Sequence, residues 1–389
     1  MKRLLEGSHA VAEAARLARV DVVSAYPITP QTHIVEIISD YCAKGLMNAR
    51  FIPVESEHSC MAALIGAQSM GVRTFTSTSA HGLVLMHELL HWAAGSRLPI
   101  VMAEVNRALA SPWNIWTDQT DSTSQRDTGW IQLYCEDGQE VLDTTLQSFR
   151  LAEWVSLPVM VILDAFFISH TYEPVDVPTQ DEVDRFLPPY KPAFALNTAN
   201  PYALGAITNA ASYMEMRHDI AAAMDEALER FDDVEEAFAA LFNRRYGTIE
   251  AIKCDDADII LVTSGTITST ARLLLENLRT KGERIGVLKM KMLRPFPTDA
   301  VRKVLKKAGK VAVVDRNFSF GASGIFAQEI KAALYNMPEH PPVYGYIAGL
   351  GGRDVTVSDL ENIYYQTKNS DAQLKESIWI ELKELKHAS

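Results

Sequence analysis

The chain has 389 residues, of which 48% are hydrophobic and 22% charged, a composition typical of a globular protein long enough for two or three domains. Its formal net charge of −12 at pH 7 argues against a nucleic-acid partner, because binding to phosphates relies on clustered Lys and Arg. No stretch reaches the roughly 18 successive apolar residues of a membrane span, and the N-terminus lacks the apolar core of a signal peptide. We therefore expect a cytoplasmic protein that does not enter a membrane.

The first 170 residues or so alternate short apolar runs with segments of helical period, as βαβ units do. The predicted strands are Val20–Ala25, Arg50–Val54, Arg73–Ser77, Pro99–Glu104 and Pro158–Asp164, and the predicted helices are His33–Ala43, Glu57–Met70, Leu83–Ala94 and Leu142–Val155. Since the strands are almost continuously apolar, we expect a parallel sheet covered by helices on both faces.

The middle of the chain differs in composition. Residues 172–200 are rich in proline, which cannot continue a helix or a central strand, and we predict a wrapping linker. Residues 211–245 have apolar positions near helical spacing, which predicts one or two amphipathic helices. Their acidic run at 219–236 is either a solvated face or a docking surface for a basic partner.

A second α/β alternation begins at Ala257. Its predicted elements are a strand at 257–265, helix Ser269–Arg279, strand Arg284–Lys289, helix Thr298–Ala308 and strand Lys310–Asp315. The turn after the first of these strands, SGTITST, lacks the GK[ST] of a P-loop, so it gives little support to a nucleotide site. We place the two domains at residues 1–245 and 246–389.

The letters HELLH at 87–91 match the zinc-binding pattern of many peptidases, in which two His four residues apart share one face of a helix. A metzincin continuation would need Gly and His at positions 94 and 97, where this chain has Ala94 and Arg97. We therefore favour a helix whose histidines pack or hydrogen-bond, and keep a zinc peptidase as a remote alternative.

The four cysteines are scattered and include no CxxC pair, the spacing that iron–sulfur clusters and structural zinc sites favour. We accordingly predict no metal ligands on this chain. Any iron–sulfur cluster that works with it should lie on a partner.

Three other segments are dense in functional groups. The loop Tyr26–Thr32 (YPITPQT) follows a strand, and its two prolines stiffen it around Thr29; it is either a ligand-binding loop or a turn that protects a sheet edge. In Val54–Ser59 (VESEHS), a carboxylate at a helix start either complements the helix dipole or binds a protonated ring nitrogen. In Val105–Arg126, Arg107 is either a surface ion-pair partner or a clamp for a substrate carboxylate.

The order of these segments resembles the alpha subunit of pyruvate:ferredoxin oxidoreductase and of the other thiamine-diphosphate-dependent 2-oxoacid:ferredoxin oxidoreductases. The resemblance spans nearly the whole chain and is carried by YPITP, ESEHS, STSAHG, NRALASPWNIWTDQTD, RPFP at Arg294–Pro297 and DRNFSFG at Asp315–Gly321. It implies an α/β fold with a pyrimidine-type thiamine-diphosphate-binding domain, built on a parallel sheet, followed by a transketolase-C-terminal-like α/β domain.

The resemblance also implies roles for single residues. Glu57 matches the carboxylate that binds N1′ of the aminopyrimidine and promotes loss of the proton from C2 of the cofactor. Arg107 matches the arginine near the substrate carboxylate, and Thr29 matches a hydroxyl on the YPITP loop that contacts the same substrate. The residues expected to bind the cofactor are Glu57, Pro27, Ile28 and His81.

In the family that the chain resembles, a beta subunit carries the diphosphate-binding domain with Mg²⁺ and a [4Fe-4S] cluster. Gamma and ferredoxin-like delta subunits or domains add further clusters and a region that contacts coenzyme A. The resemblance thus implies an active site between chains, CoA-dependent oxidative decarboxylation of a 2-oxoacid, and transfer of the electrons to ferredoxin.

Pyruvate is the leading substrate, but one departure bears on it. Relatives that use pyruvate often have Ser-Gln-Gly where this chain has Ala80, His81 and Gly82. His81 either replaces a hydrogen bond neutrally or reshapes the pocket for a branched-chain or aryl 2-oxoacid, as in phenylglyoxylate-type enzymes. Thr29 in place of a second arginine argues against oxalate, a small dianion. A non-catalytic scaffold remains as a third class of function.

Overall fold

The computed structural model describes residues 1–201, 203–370 and 376–383, which form two open sheets with helices on both faces. The strands are β1 (Lys2–Glu6), β2 (Val22–Ala25), β3 (Arg50–Pro53), β4 (Thr74–Thr78), β5 (Val101–Asn106), β6 (Ile131–Tyr134), β7 (Val159–Asp164), β8 (Tyr172–Asp176), β9 (Ile249–Ile252), β10 (Ile259–Thr263), β11 (Ile285–Met290), β12 (Met292–Arg294), β13 (Lys310–Asp315), β14 (Val343–Ile347) and β15 (Ile378–Trp379). The helices are α1 (Gly7–Leu17), α2 (Thr32–Ala43), α3 (Glu57–Ser69), α4 (Ala80–Leu85), α5 (His87–Gly95), α6 (Thr120–Thr123), α7 (Gly138–Val155), α8 (Gln180–Phe186), α9 (Ala210–Phe242), α10 (Ile267–Thr280), α11 (Thr298–Leu305), α12 (Ile325–Tyr335) and α13 (Val357–Asn369).

The first sheet has seven strands in the order β12-β6-β7-β5-β4-β2-β3, parallel except for β12. Every residue of β4, β5, β6 and β7 is buried, because helices cover both faces of the sheet. The predicted parallel α/β sheet is confirmed.

The second sheet has six strands in the order β15-β14-β13-β10-β11-β9, of which only β9 is antiparallel to its neighbour. Its predicted strands at 257–265, Arg284–Lys289 and Lys310–Asp315 are confirmed as β10, β11 and β13. Strands β9, β14 and β15 were not predicted from the sequence; they are short or lie at or near an edge of the sheet.

The predicted helix Leu83–Ala94 is wrong in one respect, because the structure has two helices there, α4 and α5, separated at Met86.

The Pro-rich residues 172–200 also differ from a plain linker. They begin with β8, whose Pro174 lies in a two-stranded sheet with β1, where a missing N–H is tolerated. Thr179 and Glu182 then form a capping box that starts α8.

The acidic segment after residue 209 is a single helix, α9, of 33 residues. Its C-terminal half packs on the first sheet's helices through a buried stripe at helical spacing, which includes Ala227, Phe231, Val234 and Phe238. Its first turns are exposed.

The two halves of the chain share a core. Strand β12, from the second half, pairs antiparallel with β6 of the first sheet. The buried Lys289 and Lys291 extend from the second half to Glu140 of α7, each with an N–O distance of 2.7 Å. The predicted domain boundary at residue 245 stays a prediction, since the chain returns to the first sheet at β12.

Among the described residues, no helix combines the length and the apolar character that crossing a bilayer requires.

Candidate active site

Four neighbouring strands, β5, β4, β2 and β3, end at the same edge of the first sheet because they are parallel. Each is followed by a segment that the sequence singled out. The YPITP loop follows β2, Glu57 follows β3, His81 follows β4 and Arg107 follows β5. The carboxyl edge of an open parallel sheet is where α/β proteins bind ligands.

Glu57 is the first residue of α3, where Ser56 caps the helix by accepting the Ser59 N–H at 3.3 Å. Only 6% of Glu57 is exposed. Apart from its own backbone N–H, no described residue donates a hydrogen bond to its carboxylate. Burial raises the pKa of Glu57, and its own N–H and the charge of Arg107 only partly oppose that change. A carboxyl with a raised pKa transfers protons more effectively near neutral pH.

Gly82 of α4 lies directly against this carboxylate. A Cβ placed on Gly82 would come within 2.5 Å of Glu57 Oε1 and within 2.5 Å of Thr78 Oγ1. Real Cβ atoms do not approach that closely, so a glycine is needed for Glu57 to keep its position.

Arg107 extends from the end of β5 and is 6% exposed. Its Nη1 donates to the carbonyl oxygen of Thr29 at 2.6 Å, and the Trp113 ring stacks over the guanidinium with its centroid 5.3 Å from Cζ. Within the described part of the chain, Nε is buried without a hydrogen-bond partner and the guanidinium makes no ion pair. A buried arginine with free donors is suited to bind an anion.

The YPITP loop is fixed to the sheet by Gln31, whose Nε2 donates to the carbonyl oxygen of Ser77 at 2.5 Å and to its Oγ at 2.7 Å. Pro27 and Thr29 are exposed and Ile28 is half-buried. The contact between Thr29 and Arg107 is made by the Thr29 carbonyl, and Thr29 as a whole is exposed.

His81 connects this loop cluster to the segment after Arg107. Its Nε2 accepts the Ala110 N–H at 2.7 Å, and its Nδ1 lies 3.3 Å from Arg107 Nη2. The imidazole also contacts the edge of Trp113, with ring centroids 6.2 Å apart. Burial, together with the charge of Arg107, lowers the pKa of His81, so its ring is neutral at pH 7.

Two fully buried carboxyls, Glu104 and Asp121, lie behind these groups. Asp121 accepts N–H bonds from Ala80 at 3.0 Å and from Arg107 at 2.8 Å, and it therefore fixes the backbone on both sides of the site. Neither oxygen of Glu104 accepts a hydrogen bond of good geometry among the described residues. Burial and the charge of Asp121 raise the pKa of Glu104, and burial raises that of Asp121 to about 6.

The second half of the chain meets the same edge at the end of β7. There Asp164 accepts from Arg316 Nη1 at 2.9 Å, from Thr266 Oγ1 at 2.6 Å and from Gln119 Nε2 at 3.1 Å. Asp164 and Arg316 are both buried. Beside them, Asn114 Nδ2 donates to the carbonyl of Gly351 at 2.9 Å. The loop that carries Arg107 and Trp113 is therefore supported by both halves of the chain.

The HELLH residues are arranged differently from a zinc site. His87 Nδ1 lies 2.6 Å from Gln125 Oε1, and the His87 and His91 rings contact each other edge to face with centroids 5.0 Å apart. In the described ranges, no group of three or more His, Cys, Asp or Glu side chains is arranged to hold a metal ion.

The sequence missed the residues that hold the site together. Gly82, Glu104 and the Asp164–Arg316 pair received no role, and Asp121 was noted only as lying in the resembling segment. A buried carboxylate shows up in sequence only as an acid inside an apolar strand, which Glu104 and Asp164 both are. That signal could have indicated them, but not their partners.

Comparison with known proteins identifies the chain. Residues 13–236 match the family described as "Pyruvate flavodoxin/ferredoxin oxidoreductase, thiamine diP-bdg", and residues 257–360 match "Pyruvate:ferredoxin oxidoreductase core domain II". The chain belongs to the pyruvate:ferredoxin oxidoreductase family.

Similar proteins of this pyruvate:ferredoxin oxidoreductase family are known from archaea. The chain is 50% identical over 365 residues to the ketoisovalerate oxidoreductase subunit VorA of Pyrococcus abyssi, covering 93% of this chain and 92% of the relative. It is 46% identical over 384 residues to the pyruvate synthase subunit PorA of Methanothermobacter thermautotrophicus, covering 98% of each. The predicted family and enzyme class, a catalytic subunit of a 2-oxoacid oxidoreductase, are confirmed.

Solved structures confirm the fold of this family member. A 2-oxoglutarate:ferredoxin oxidoreductase from Magnetococcus marinus superposes with a TM-score of 0.74 at 20% identity; the match covers 94% of this chain and 65% of that one, so the chain spans slightly less than two thirds of its length. A split-gene transketolase superposes with a TM-score of 0.54 at 12% identity, over 93% of this chain and 98% of that one. The predicted thiamine-enzyme fold is confirmed.

The residues present in this pyruvate:ferredoxin oxidoreductase family member fit one half of a thiamine diphosphate site. The buried carboxylate of Glu57 lies so close to Gly82 that any side chain at position 82 would displace it. A carboxylate in such a place is suited to bind a protonated nitrogen of an aminopyrimidine. In the described ranges, no group of three or more His, Cys, Asp or Glu side chains beside Glu57 is arranged to hold Mg²⁺.

Proposed function

We propose that the chain is the alpha subunit of a 2-oxoacid:ferredoxin oxidoreductase that supplies the pyrimidine side of the active site and the clamp for the substrate carboxylate. One observation carries this proposal. A buried carboxyl with a raised pKa, Glu57, and a buried guanidinium whose Nε has no hydrogen-bond partner among the described residues, Arg107, lie at the same edge of the sheet. The reaction would convert a 2-oxoacid, coenzyme A and two oxidised ferredoxins to acyl-CoA, CO₂, a proton and two reduced ferredoxins.

Glu57 would bind the aminopyrimidine ring at N1′, with Pro27 and Ile28 of the YPITP loop beside the cofactor. When bound, thiamine diphosphate supplies the carbon nucleophile and an acceptor for the electron pair that CO₂ leaves behind. The raised pKa of Glu57 favours sharing a proton with N1′, since a buried carboxylate without other donors gains most from one charged hydrogen bond.

Arg107 would bind the carboxylate of the 2-oxoacid. Its Nη1 is held by the Thr29 carbonyl, and this contact orients the remaining N–H groups. The Thr29 hydroxyl on the same loop would contact the substrate as a neutral donor. Together they would hold the keto carbon in one orientation, an effect that accounts for a large part of the rate in many enzymes.

Pyruvate is our first candidate for the substrate, and it is the acid named for the relatives called pyruvate synthase subunit PorA. A branched-chain 2-oxoacid is the second candidate. It is favoured by the relatives named ketoisovalerate oxidoreductase subunit VorA, to which this chain is 48% to 50% identical. An aryl 2-oxoacid, as in phenylglyoxylate-type enzymes, is a further member of the same class.

The chain would work inside a larger cytoplasmic complex. A beta subunit would provide Mg²⁺ and the diphosphate site, and gamma and ferredoxin-like delta subunits would provide the [4Fe-4S] clusters that pass electrons to ferredoxin. The exposed loop carrying Trp113 and Trp116, with 58% and 46% of these side chains accessible, would be covered by such a partner.

The test is an anaerobic assay of the intact complex. Reduction of a low-potential dye is measured with coenzyme A and, in turn, pyruvate, 2-ketoisovalerate and phenylglyoxylate. We expect turnover with at least one acid and its loss, by 100-fold or more, in Glu57→Gln, since a positioned acid–base group contributes about 10²–10⁴-fold.

The matched control is Glu55→Gln, which alters an exposed carboxylate two residues away and should leave turnover unchanged. If the cluster-loaded complex reduced nothing with any acid, or if Glu57→Gln retained full turnover, the proposal would be refuted. In the second case a scaffold role would replace it.

A further inference from the structure

We infer that His81 is a substrate-binding residue that donates a hydrogen bond to the carboxylate of the substrate, which is thereby held between the imidazole and Arg107. The inference rests on the proposed function, because it takes the bound anion to be the carboxylate of a 2-oxoacid.

The first step is the tautomer of His81. A backbone N–H can only donate, so the Nε2 that lies 2.7 Å from the Ala110 nitrogen must be an acceptor. A neutral imidazole has one acceptor and one donor nitrogen, and the proton therefore resides on Nδ1. The contact with Ala110 thus makes Nδ1, on the other side of the ring, a hydrogen-bond donor.

The second step is the group that Nδ1 faces. Arg107 Nη2 lies 3.3 Å from Nδ1, and a guanidinium has only donors. The Nδ1–H of His81 and the Nη2–H of Arg107 are therefore two donors that face each other and cannot form a hydrogen bond. An acceptor beside both of them would relieve this mismatch, and a carboxylate offers two acceptor oxygens for two donors.

The third step is the charge around this place. Burial raises the pKa of Glu104, and Asp121 already accepts N–H bonds from Arg107, Ala80 and Ser122. In the described part of the chain, no carboxylate forms a direct ion pair with the Arg107 guanidinium, although the charges of Asp121, Glu104 and Glu57 act on it, so a ligand can still make that direct contact.

Trp113 contacts both Arg107 and His81. Its ring stacks over the guanidinium and meets the imidazole edge to face. Trp113 is itself 58% exposed, and a partner subunit that covers it would exclude water and so strengthen hydrogen bonds to a bound anion. The arrangement is that of a site for one planar monoanion, which fits a monocarboxylic 2-oxoacid.

The experiment compares His81→Leu with His81→Gln in the intact complex. Leucine removes both ring nitrogens, whereas glutamine keeps an acceptor for the Ala110 N–H and a donor for the substrate. Exposed His340 provides the control variant, His340→Leu. Three quantities are measured for each protein. They are KM for the 2-oxoacid, KM for coenzyme A and, by calorimetry, the Kd of the saturated acid that corresponds to the best substrate. That acid is propionate for pyruvate and isovalerate for 2-ketoisovalerate.

For His81→Leu we expect KM for the 2-oxoacid and Kd for the saturated acid to rise about 10- to 100-fold, the range for one lost hydrogen bond to a charged group. KM for coenzyme A should stay within about twofold, kcat should fall less than KM rises, and His81→Gln should recover most of the affinity.

An unchanged Kd for the saturated acid in a folded His81→Leu complex overturns the inference, even if turnover of the 2-oxoacid is normal and the proposed function stands. Equal rises in KM for coenzyme A and for the 2-oxoacid overturn it as well, because they indicate a disturbed loop. If wild type turned over no 2-oxoacid yet bound the saturated acid in a His81-dependent way, the proposed function would fail and the anion site would remain.

Discussion

Gly82→Ala should separate activity from stability, because Gly82 lies in a helix and against the proposed catalytic carboxylate. Alanine in place of glycine stabilises a helix interior by up to about 1 kcal/mol. Its Cβ, however, would lie 2.5 Å from Glu57 Oε1, and ordinary van der Waals contact begins at 3.4 Å. The carboxylate must therefore retreat by about 0.9 Å, and a misplacement of about 1 Å at a reacting group can reduce the rate about 100-fold.

The control for this prediction is Gly66→Ala in α3, the helix that begins with Glu57. Gly66 is exposed, and no atom lies within 4 Å of the place that an alanine methyl group would take, so the variant gains the same helix propensity without the clash. Both variants should keep the thermal unfolding midpoint of the complex at or near the wild-type value. In the dye-reduction assay, Gly66→Ala should match wild type and Gly82→Ala should lose about 100-fold in kcat.

Wild-type turnover in Gly82→Ala would refute the reasoning, because it would mean that the position of Glu57 against α4 does not matter for the reaction. A loss of folding in Gly82→Ala alone would also count against it, since the prediction requires that the Glu57 and Thr78 side chains move aside without unfolding the protein.

Three further predictions concern stability and metal content. Asp164→Ala leaves the charge of Arg316 buried without its partner and should lower the free energy of unfolding of the complex by about 3–5 kcal/mol. The control, Asp40→Ala, removes an exposed carboxylate and should cost less than about 1 kcal/mol. Equal losses in chemical unfolding would refute the role of the pair. Burial opposes ionisation of Glu140, but its lysine partners hold its pKa at about 2, below the usual 4.5. The ionised Glu140 therefore contributes about 3 kcal/mol to the free energy of unfolding above pH 4.5, and this contribution is lost as the pH falls towards 2. Unfolding at pH 6 and pH 3 should therefore show the gap between wild type and Glu140→Gln closing in acid, and a gap independent of pH would contradict this. His91→Ala should leave both the metal content, measured by mass spectrometry, and the turnover of the complex unchanged; a loss of one zinc per chain would revive the peptidase alternative.

The sequence by itself determined the two α/β halves, because continuous apolar strands such as β7 and helical spacing in α9 are local patterns with a physical cause. It also indicated the segments that surround the site. Glu57, Arg107 and the YPITP loop each follow a strand, and parallel strands bring such segments to one edge. Their roles in catalysis stay proposals until the variants are assayed.

Only the tertiary structure decided what those side chains meet. Arg107 contacts His81, 26 positions away in sequence, and Thr29, 78 positions away, through a strand order that no local pattern fixes. The return of β12 to the first sheet and the Asp164–Arg316 pair, 152 residues apart in sequence, also depend on contacts across the whole chain. The physical reason is that burial and partner geometry, which set the charge state of Glu104 and the tautomer of His81, arise only when distant segments pack.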